Sequence, residues 1–358
     1  MNFTRTAPVQ HDTIDGVPEP SEHAALVGHA EPADLLAAAF RAGRLHHAVL
    51  LAGPAGIGKA TLAFRLAFHV MSHSEPAQAP ATLSAPDPAS PLFRALAQNA
   101  HPSLLYLTRP ANERTKGFKT VITVEEIRRL GRFLAMTAHD GGYRVVIVDP
   151  VDDLNTSAAN ALLKNLEEPP ARTLFILIAH SPGRLLPTIR SRCQTLRLRP
   201  LGDADVLAVL ARLGLPVPQD AAARAALAAR AEGSVRNAIL LTEYGGLEIA
   251  AAVDAVLDSA AFDGAAAGRL ADAVAGREQA MQFDLFNEHL LASLAGRAAA
   301  AAGTGAARAA DRLAGCWSDI RRATMEAGIY NLDKRQHVLS QLVRAQRAVQ
   351  AARMPDAA

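Results

Sequence analysis

The stretch AVLLAGPAGIGKA, residues 48–60, decides the fold of the N-terminal part of this chain. Its first five residues, Ala48 to Ala52, are all apolar, which is typical of a short buried strand, and the run stops at a glycine-rich turn. A helical pattern then follows from about Lys59 to Met71. A strand, a glycine-rich loop and a helix in this order predict the opening unit of an α/β domain.

The loop in this unit matches the phosphate-binding pattern G-x-x-x-x-G-K. The glycines Gly53, Gly56 and Gly58 would let backbone N–H groups converge on a phosphate, and Lys59 would add a positive charge at the start of the helix. A glycine-rich turn that binds nothing is the alternative interpretation. The strand before the loop and the helix after it favour the phosphate site.

Two groups that an ATP-hydrolysing site needs are missing from this sequence. Ala60 stands where the motif has a Ser or Thr to hold magnesium, and Thr61 lies one helical step, about 100°, away from that direction. A second apolar strand ends in Asp149, a candidate magnesium ligand, but Pro150 follows where a catalytic Glu is needed. The sequence therefore predicts a nucleotide site that can bind ATP or ADP but does not hydrolyse it.

Further apolar runs extend the α/β pattern. Residues 104–107, 144–148 and 173–179 are predicted strands, and residues 123–138 and 157–167 are predicted helices. Continuous apolar strands separated by helices indicate a parallel sheet with helices on both faces.

The chain as a whole divides into four segments. Residues 1–22 are polar and predict a flexible tail, and the α/β domain occupies 23–200, with a Pro/Ala-rich exposed excursion at 72–91. Three short helical patterns predict a small lid domain at 201–261, and longer ones predict an all-α domain at 262–354.

Composition limits the compartment and the class of protein. The net charge is only +2, and the two cysteines, Cys193 and Cys316, favour a reducing compartment over a disulfide scaffold. No apolar run approaches the roughly 18 residues of a membrane helix. These features predict a cytoplasmic protein.

The most specific pattern in the chain follows the second strand. Residues 160–170, NALLKNLEEPP, precede the strand 173–179, and Ser191-Arg192-Cys193 follows it. This combination resembles the clamp-loader branch of the AAA+ ATPases, which includes the gamma/tau and delta-prime subunits of bacterial DNA polymerase III and replication factor C. Val27-Gly28-His29, His101-Pro102 and residues 233–236 (GSVR) support the resemblance, which covers about residues 23–245 by motif.

The resemblance implies roles for three residues. Arg192 would be an arginine finger that reaches the ATP site of a neighbouring subunit, although a local salt bridge is the alternative. Arg236 would be the second sensor, which contacts nucleotide phosphate from the lid. His180 falls where the family has Thr or Asn as its first sensor, and a buried structural histidine is the other interpretation.

The departures at Ala60, Pro150 and His180 favour the non-motor, delta-prime type of subunit over the gamma/tau motor type. Such a subunit would have no activity alone and would be part of a DNA polymerase holoenzyme. It would join gamma/tau-type ATPase subunits and a delta subunit in a ring that places a sliding clamp on primed DNA. Many relatives carry a four-cysteine zinc module after the phosphate-loop helix, but residues 72–91 contain no cysteine, so no zinc is expected.

The helical C-terminal part would form the collar of that ring. Residues 296–353 hold ten Lys/Arg against four Asp/Glu, which fits solvated basic faces better than a dedicated DNA site. An apolar series is predicted to pack between helices or subunits: Leu332, Val338, Leu339, Leu342 and Val349.

Two other functions are weighed against this one. The chain could be an active motor ATPase in which Thr61 and Asp152 or Asp153 replace the lost groups. It could also be a small-molecule phosphotransferase built on a phosphate loop, but this would not explain Ser191-Arg192-Cys193 or the helical domains.

Overall fold

The computed structural model describes residues 4–112, 117–136, 141–276, 278–330 and 332–353. The chain divides into two compact units, Met1–Asn237 and Ala238–Ala358. The predicted limits of a lid at 201–261 and a collar at 262–354 are a finer division and stay predictions.

The first unit is built on a five-stranded parallel sheet. Its strand order is β2-β5-β6-β1-β7, and a separate two-stranded ribbon pairs β3 with β4. The strands are β1 (Ala48–Ala52), β2 (Leu104–Leu107), β3 (Ala111–Asn112), β4 (Gly117–Phe118), β5 (Arg144–Val148), β6 (Thr173–Ala179) and β7 (Gln194–Arg197).

Helices cover both faces of the sheet, as its apolar strands predict. The helices of this unit are α1 (Ala30–Arg41), α2 (Lys59–Ser72), α3 (Pro91–Ala97), α4 (Val124–Ala135), α5 (Thr156–Glu167), α6 (Pro187–Arg190), α7 (Asp203–Arg212) and α8 (Ala221–Ala231). The boundary with the second unit falls within α9 (Val235–Glu243).

Successive residues of each central strand enter opposite cores. In β1, Val49 and Leu51 pack with α1 and α2 through Leu36 and Leu66, whereas Leu50 joins the core under α4 and α5. This alternation follows from the two-residue period of a strand, and it explains why β1, β5 and β6 are buried at every position and, apart from Arg144 and Thr173 at two strand starts, apolar. The predicted α/β fold is confirmed.

β7 and α3 are among the elements of the first unit that were not predicted. β7 pairs with β1 at the sheet edge. Its four residues are exposed or half-buried, and all except Leu196 are polar, so no apolar run marks this strand. Helix α3 begins at Pro91, where Ser90 accepts a hydrogen bond from the Phe93 N–H at 3.2 Å. The excursion 72–91 contains a short 3₁₀ turn at Pro76–Gln78 and is tied to α2 by Ser84, whose hydroxyl lies 3.0 Å from His69 Nδ1.

Residues 4–22, expected to form a flexible tail, lie against the α/β domain in the structure. Ala7 and Ile14 are buried, and the Ser21 hydroxyl donates to the Ala97 carbonyl at 3.1 Å. We call residues 4–22 the N-terminal strap. Its polar sequence hid this packing because its few apolar contacts follow no helical or strand period.

The second unit is helical throughout its described residues. Its helices after α9 are α10 (Gly246–Asp258), α11 (Gly264–Val274), α12 (Ala280–Gly303), α13 (Ala307–Tyr330) and α14 (Lys334–Arg353). Phe286 and Leu290 on α12 and Val338 and Leu342 on α14 are fully buried. Among the described residues, no helix is long and apolar enough to cross a membrane.

Part of the apolar series assigned to packing therefore lies inside this unit. Val338, Leu342 and Val349 are core residues, while Leu332 is exposed. A buried polar contact joins the same helices, since Asn287 Oδ1 lies 2.9 Å from His337 Nε2.

Candidate functional site

The phosphate-type loop connects β1 to α2 at the carboxyl edge of the sheet. Gly56 and Gly58 adopt positive φ angles of 74° and 96°, a conformation that L residues with a side chain rarely adopt. The ring of His29 braces the loop from outside, with Nε2 2.7 Å from the Ile57 carbonyl oxygen. The loop thus has the backbone that its glycines predict.

The Lys59 side chain is turned back onto its own loop. Its ammonium donates to the Gly53 carbonyl at 2.7 Å and also to the Pro54 carbonyl, and the residue is only 3% exposed. Burial lowers the pKa of Lys59 to about 8, against the opposing charges of Asp149 and Asp152. The lysine that would hold a phosphate therefore closes its own loop.

Gly56 is in close contact with Ser234 and the first turn of α9. The Val235 N–H donates to the Gly56 carbonyl at 3.0 Å. A Cβ atom at Gly56 would lie 2.5 Å from the Arg236 Cβ and closer still to the Ser234 hydroxyl. The absence of a side chain at Gly56 serves packing inside the chain.

Asp149 lies at the end of β5, as predicted, but it is poorly suited to hold a magnesium ion. The Tyr106 hydroxyl donates to its carboxyl group at 3.0 Å. Burial, and next the charge of Asp12, raise the pKa of Asp149 to about 7. Near neutral pH, a large fraction of this carboxyl is therefore protonated, and a protonated carboxyl is a weak ligand for a hard cation.

The acids proposed as replacements are engaged elsewhere. Asp152 accepts the backbone N–H groups of His180 and Ser181, the latter at 3.1 Å. Asp153 forms an ion pair with Arg109 at 2.5 Å. Both carboxylates lie in the 3₁₀ turn Val151–Asp153, past the strand end, where they organise the loops that follow β2 and β6.

His180, at the first-sensor position, is partly buried and neutral. Its Nδ1 atom is buried without a hydrogen-bond partner, and burial lowers the pKa of the ring to about 4. Thr61 is a partly buried residue in the first turn of α2.

Arg236 is held by the N-terminal strap. Its Nη1 donates to the Asp12 carbonyl oxygen, and the same nitrogen lies 3.9 Å from the Asp12 carboxylate. The backbone and Cβ of Arg236 thus lie next to Gly56 of the phosphate-type loop, while the Arg236 guanidinium binds Asp12 of the same chain.

Arg192 lies apart from this cluster, between α6 and β7. Its Nη2 lies 2.6 Å from the Glu167 carboxylate at the end of α5, and its Nη1 donates to the Thr188 carbonyl at 3.0 Å. The side chain is 35% exposed, so guanidinium surface remains accessible. Burial raises the pKa of the adjacent Cys193 thiol to about 11, which suits a packing residue rather than a nucleophile.

No group of three His, Cys, Asp or Glu side chains within the described ranges could hold a metal ion. His69 and His73 face each other, with ring centroids 5.0 Å apart, but His69 Nδ1 is paired with Ser84. The expectation that no zinc binds here stays a prediction.

Three residues of these sites escaped the sequence interpretation. Asp12 and Tyr106 carried no motif, and their relevance comes only from the fold. Glu167 belongs to the quoted motif LEEPP, so its position was marked, although its pairing with Arg192 was not.

Comparisons with known proteins agree with the motifs. Residues 28–202 match the family described as "DNA polymerase III, delta subunit". DNA polymerase III subunit delta' of Pseudomonas aeruginosa is 42% identical over 147 residues, which cover 41% of this chain and 41% of that protein. The Escherichia coli delta' subunit is 33% identical over 177 residues, 49% of each chain.

A gamma/tau-type protein is also similar. The DNA polymerase III subunit tau of Escherichia coli is 30% identical over 226 residues, which cover 63% of this chain and 33% of tau. The matches thus span less than half the length of each of these curated relatives.

Proposed function

Because residues 28–202 match the DNA polymerase III delta-subunit family and the chain is 33–42% identical to delta' subunits over part of its length, we propose that the chain is the non-motor subunit of a replicative clamp loader. It would take a fixed place in a ring with gamma/tau-type ATPase subunits and a delta subunit. That ring would place a sliding clamp on primed DNA, and the chain would act in it as a partner of the motors.

One observation carries the proposal: the cations and acids of the chain's own phosphate-type site are used internally. Lys59 is bound by its loop carbonyls, Arg236 by Asp12, and Asp149 by Tyr106. Together with Ala60 and Pro150, these contacts leave none of the described motif residues in the role of magnesium ligand or catalytic base. Such a site suits a subunit that supports ATP turnover elsewhere.

Arg192 is the residue proposed to provide that support. A guanidinium placed against the γ-phosphate of a neighbour stabilises the charge that develops during phosphoryl transfer. Arg192 meets the first requirement of this role, because it is partly exposed and fixed at two points by Glu167 and Thr188.

Substitution of Arg192 in a reconstituted loader tests the assignment. Arg192→Ala should leave the ring assembled and lower turnover at the adjacent ATPase site on the order of a thousandfold, with slower clamp loading. Arg190→Ala, an exposed arginine two residues earlier, is the matched control and should have little effect. Unchanged turnover in an assembled Arg192→Ala ring would show that the arginine is structural.

The active-motor alternative makes a different prediction for the isolated chain. A non-motor subunit purified alone should show no measurable ATP turnover. Turnover that Lys59→Ala abolishes would establish a working site and would contradict the proposal. The structure offers little support for such a site, because Asp152 and Asp153 already serve other contacts.

A further inference from the structure

The tip of the N-terminal strap lies at the candidate nucleotide site. Asp12 binds the guanidinium of Arg236, and its charge raises the pKa of both Asp149 and Tyr106, which places it near the ends of β5 and β2. His11 approaches the same strand ends, with Nδ1 3.3 Å from the Thr108 hydroxyl. The strap thus reaches the carboxyl edge of the sheet beside the phosphate-type loop.

The strap has a fixed shape of its own. The Arg5 guanidinium spans its interior and donates to the carbonyls of Ile14 and Val17 at 2.7 and 2.9 Å. Arg5 also lies 3.8 Å from the buried carboxylate of Glu19, which accepts a hydrogen bond from Thr13. These bonds fold residues 5–19 into a loop with residues 11–13 at its tip.

The base of the strap is closed by bonds within it and is attached to the α/β domain through Ser21. The Glu22 carboxylate accepts the backbone N–H groups of Thr6 and Ala7 at 2.7 and 3.1 Å. Burial opposes ionisation of this carboxylate, but the hydrogen bonds from backbone N–H groups outweigh burial and lower its pKa. The 3₁₀ turn Pro20–Glu22 and Ser21 then join the strap to the domain near α3.

We propose that the N-terminal strap is an intramolecular occupant of the nucleotide site, in which Asp12 takes the place of a phosphate on Arg236. An arginine prefers an anionic oxygen partner, and Asp12 supplies a carbonyl acceptor and a nearby carboxylate. The Asp12 charge also opposes the entry of a nucleoside triphosphate, which is an anion itself. Strap release would make Arg236 available and remove that repulsion.

The inference concerns nucleotide binding by this chain alone, so it does not depend on membership of a ring or on the role of Arg192. It implies that the strap controls the binding of ATP or ADP by this chain. The nucleotide would bind without being hydrolysed, since Ala60 and Pro150 remain.

Calorimetric titration with ADP and with ATP, each with magnesium, tests the proposal on the full chain and on two released forms. One form lacks residues 1–18 and keeps the turn Pro20–Glu22, and the other is the full chain with Arg5→Ala. Both released forms should bind nucleotide at least about tenfold more tightly than the full chain. In the full chain, the nucleotide must first break the hydrogen bond between Arg236 and Asp12, whereas in the released forms Arg236 has no such partner. Arg41→Ala, an exposed arginine on α1, is the matched control and should bind as the full chain does.

Two further measurements identify where the gain arises. Lys59→Ala in the shortened chain should abolish the gain, since the nucleotide would use the phosphate-type loop. Addition of nucleotide to the full chain should speed amide hydrogen exchange at Thr6 and Ala7, whose N–H groups are bonded inside the strap.

The proposal is overturned if both released forms retain the thermal transition of a folded protein yet bind no more tightly than the full chain. It is also overturned if the gain survives Lys59→Ala, because the nucleotide would then bind elsewhere.

Discussion

Gly56 provides a direct measure of how the phosphate-type loop is used in this chain. The change Gly56→Ala introduces a Cβ atom at φ 74°, 2.5 Å from the Arg236 Cβ and 3.2 Å from the Arg236 backbone nitrogen. Non-bonded carbon atoms do not approach so closely, so either the loop or the first turn of α9 must move.

The matched control is Gly43→Ala, at the turn that follows α1. Gly43 has a similar φ of 65°, but a Cβ atom there would meet nothing within 4 Å. Its cost is therefore that of a left-handed alanine alone, about 1–2 kcal/mol. Gly56→Ala should carry this cost plus that of overpacking, typically about 1–3 kcal/mol. The difference between the two variants isolates the contact with residues 234–236.

Denaturant unfolding of the unliganded chain measures the stability of both variants. The unfolding midpoints can be compared directly if the slope of the unfolding free energy against denaturant concentration is the same in both. We expect the free energy of unfolding to fall by about 2–5 kcal/mol for Gly56→Ala and by about 1–2 kcal/mol for Gly43→Ala. Equal losses in the two variants would refute the packing role of Gly56, and its glycine would then serve only the backbone conformation.

Two other predictions test single contacts. Asp149 has a pKa of about 7 in the folded chain, above the 3.8 of a free Asp, so the folded state binds the extra proton and its stability falls as pH rises through that window. The free energy of unfolding of Asp149→Asn, compared with that of the parent chain, should therefore rise by on the order of a few kcal/mol between pH 4 and pH 7, as measured by chemical unfolding across that range. A difference in unfolding free energy that does not change with pH would contradict the assignment. Glu167→Gln removes the ion pair with the partly exposed Arg192 and should lower ATP turnover by the loader by at most about fivefold. Glu168→Gln is the control. An equal effect of the two substitutions would show that Glu167 does not position Arg192.

Local sequence was sufficient to predict the elements of the α/β core. The strands β1, β2, β5 and β6 were found because each is an apolar run with a clear end, and the residues of β1, β5 and β6 face two buried layers. β7 was missed because an edge strand next to a polar loop carries no such run.

The candidate site was only partly predictable. Lys59, Asp149, Arg236 and Arg192 were located from motifs, since each stands at a fixed offset from a strand or a helix start. Their partners were not predictable: Asp12 and Arg236 are separated by 224 positions, and Tyr106 and Asp149 by 43. No periodicity or motif spacing connects residues so far apart along the chain.

By itself, the sequence determined that the chain has a phosphate-type loop after a parallel strand and that Ala60 and Pro150 replace two catalytic groups. These are covalent facts, which hold in any conformation. Only the tertiary structure decided what the remaining charged groups do. Lys59 donates to carbonyls of its own loop, and Arg236 binds the N-terminal strap. A buried charge without a partner is costly, and the fold places these acceptors next to the two cations.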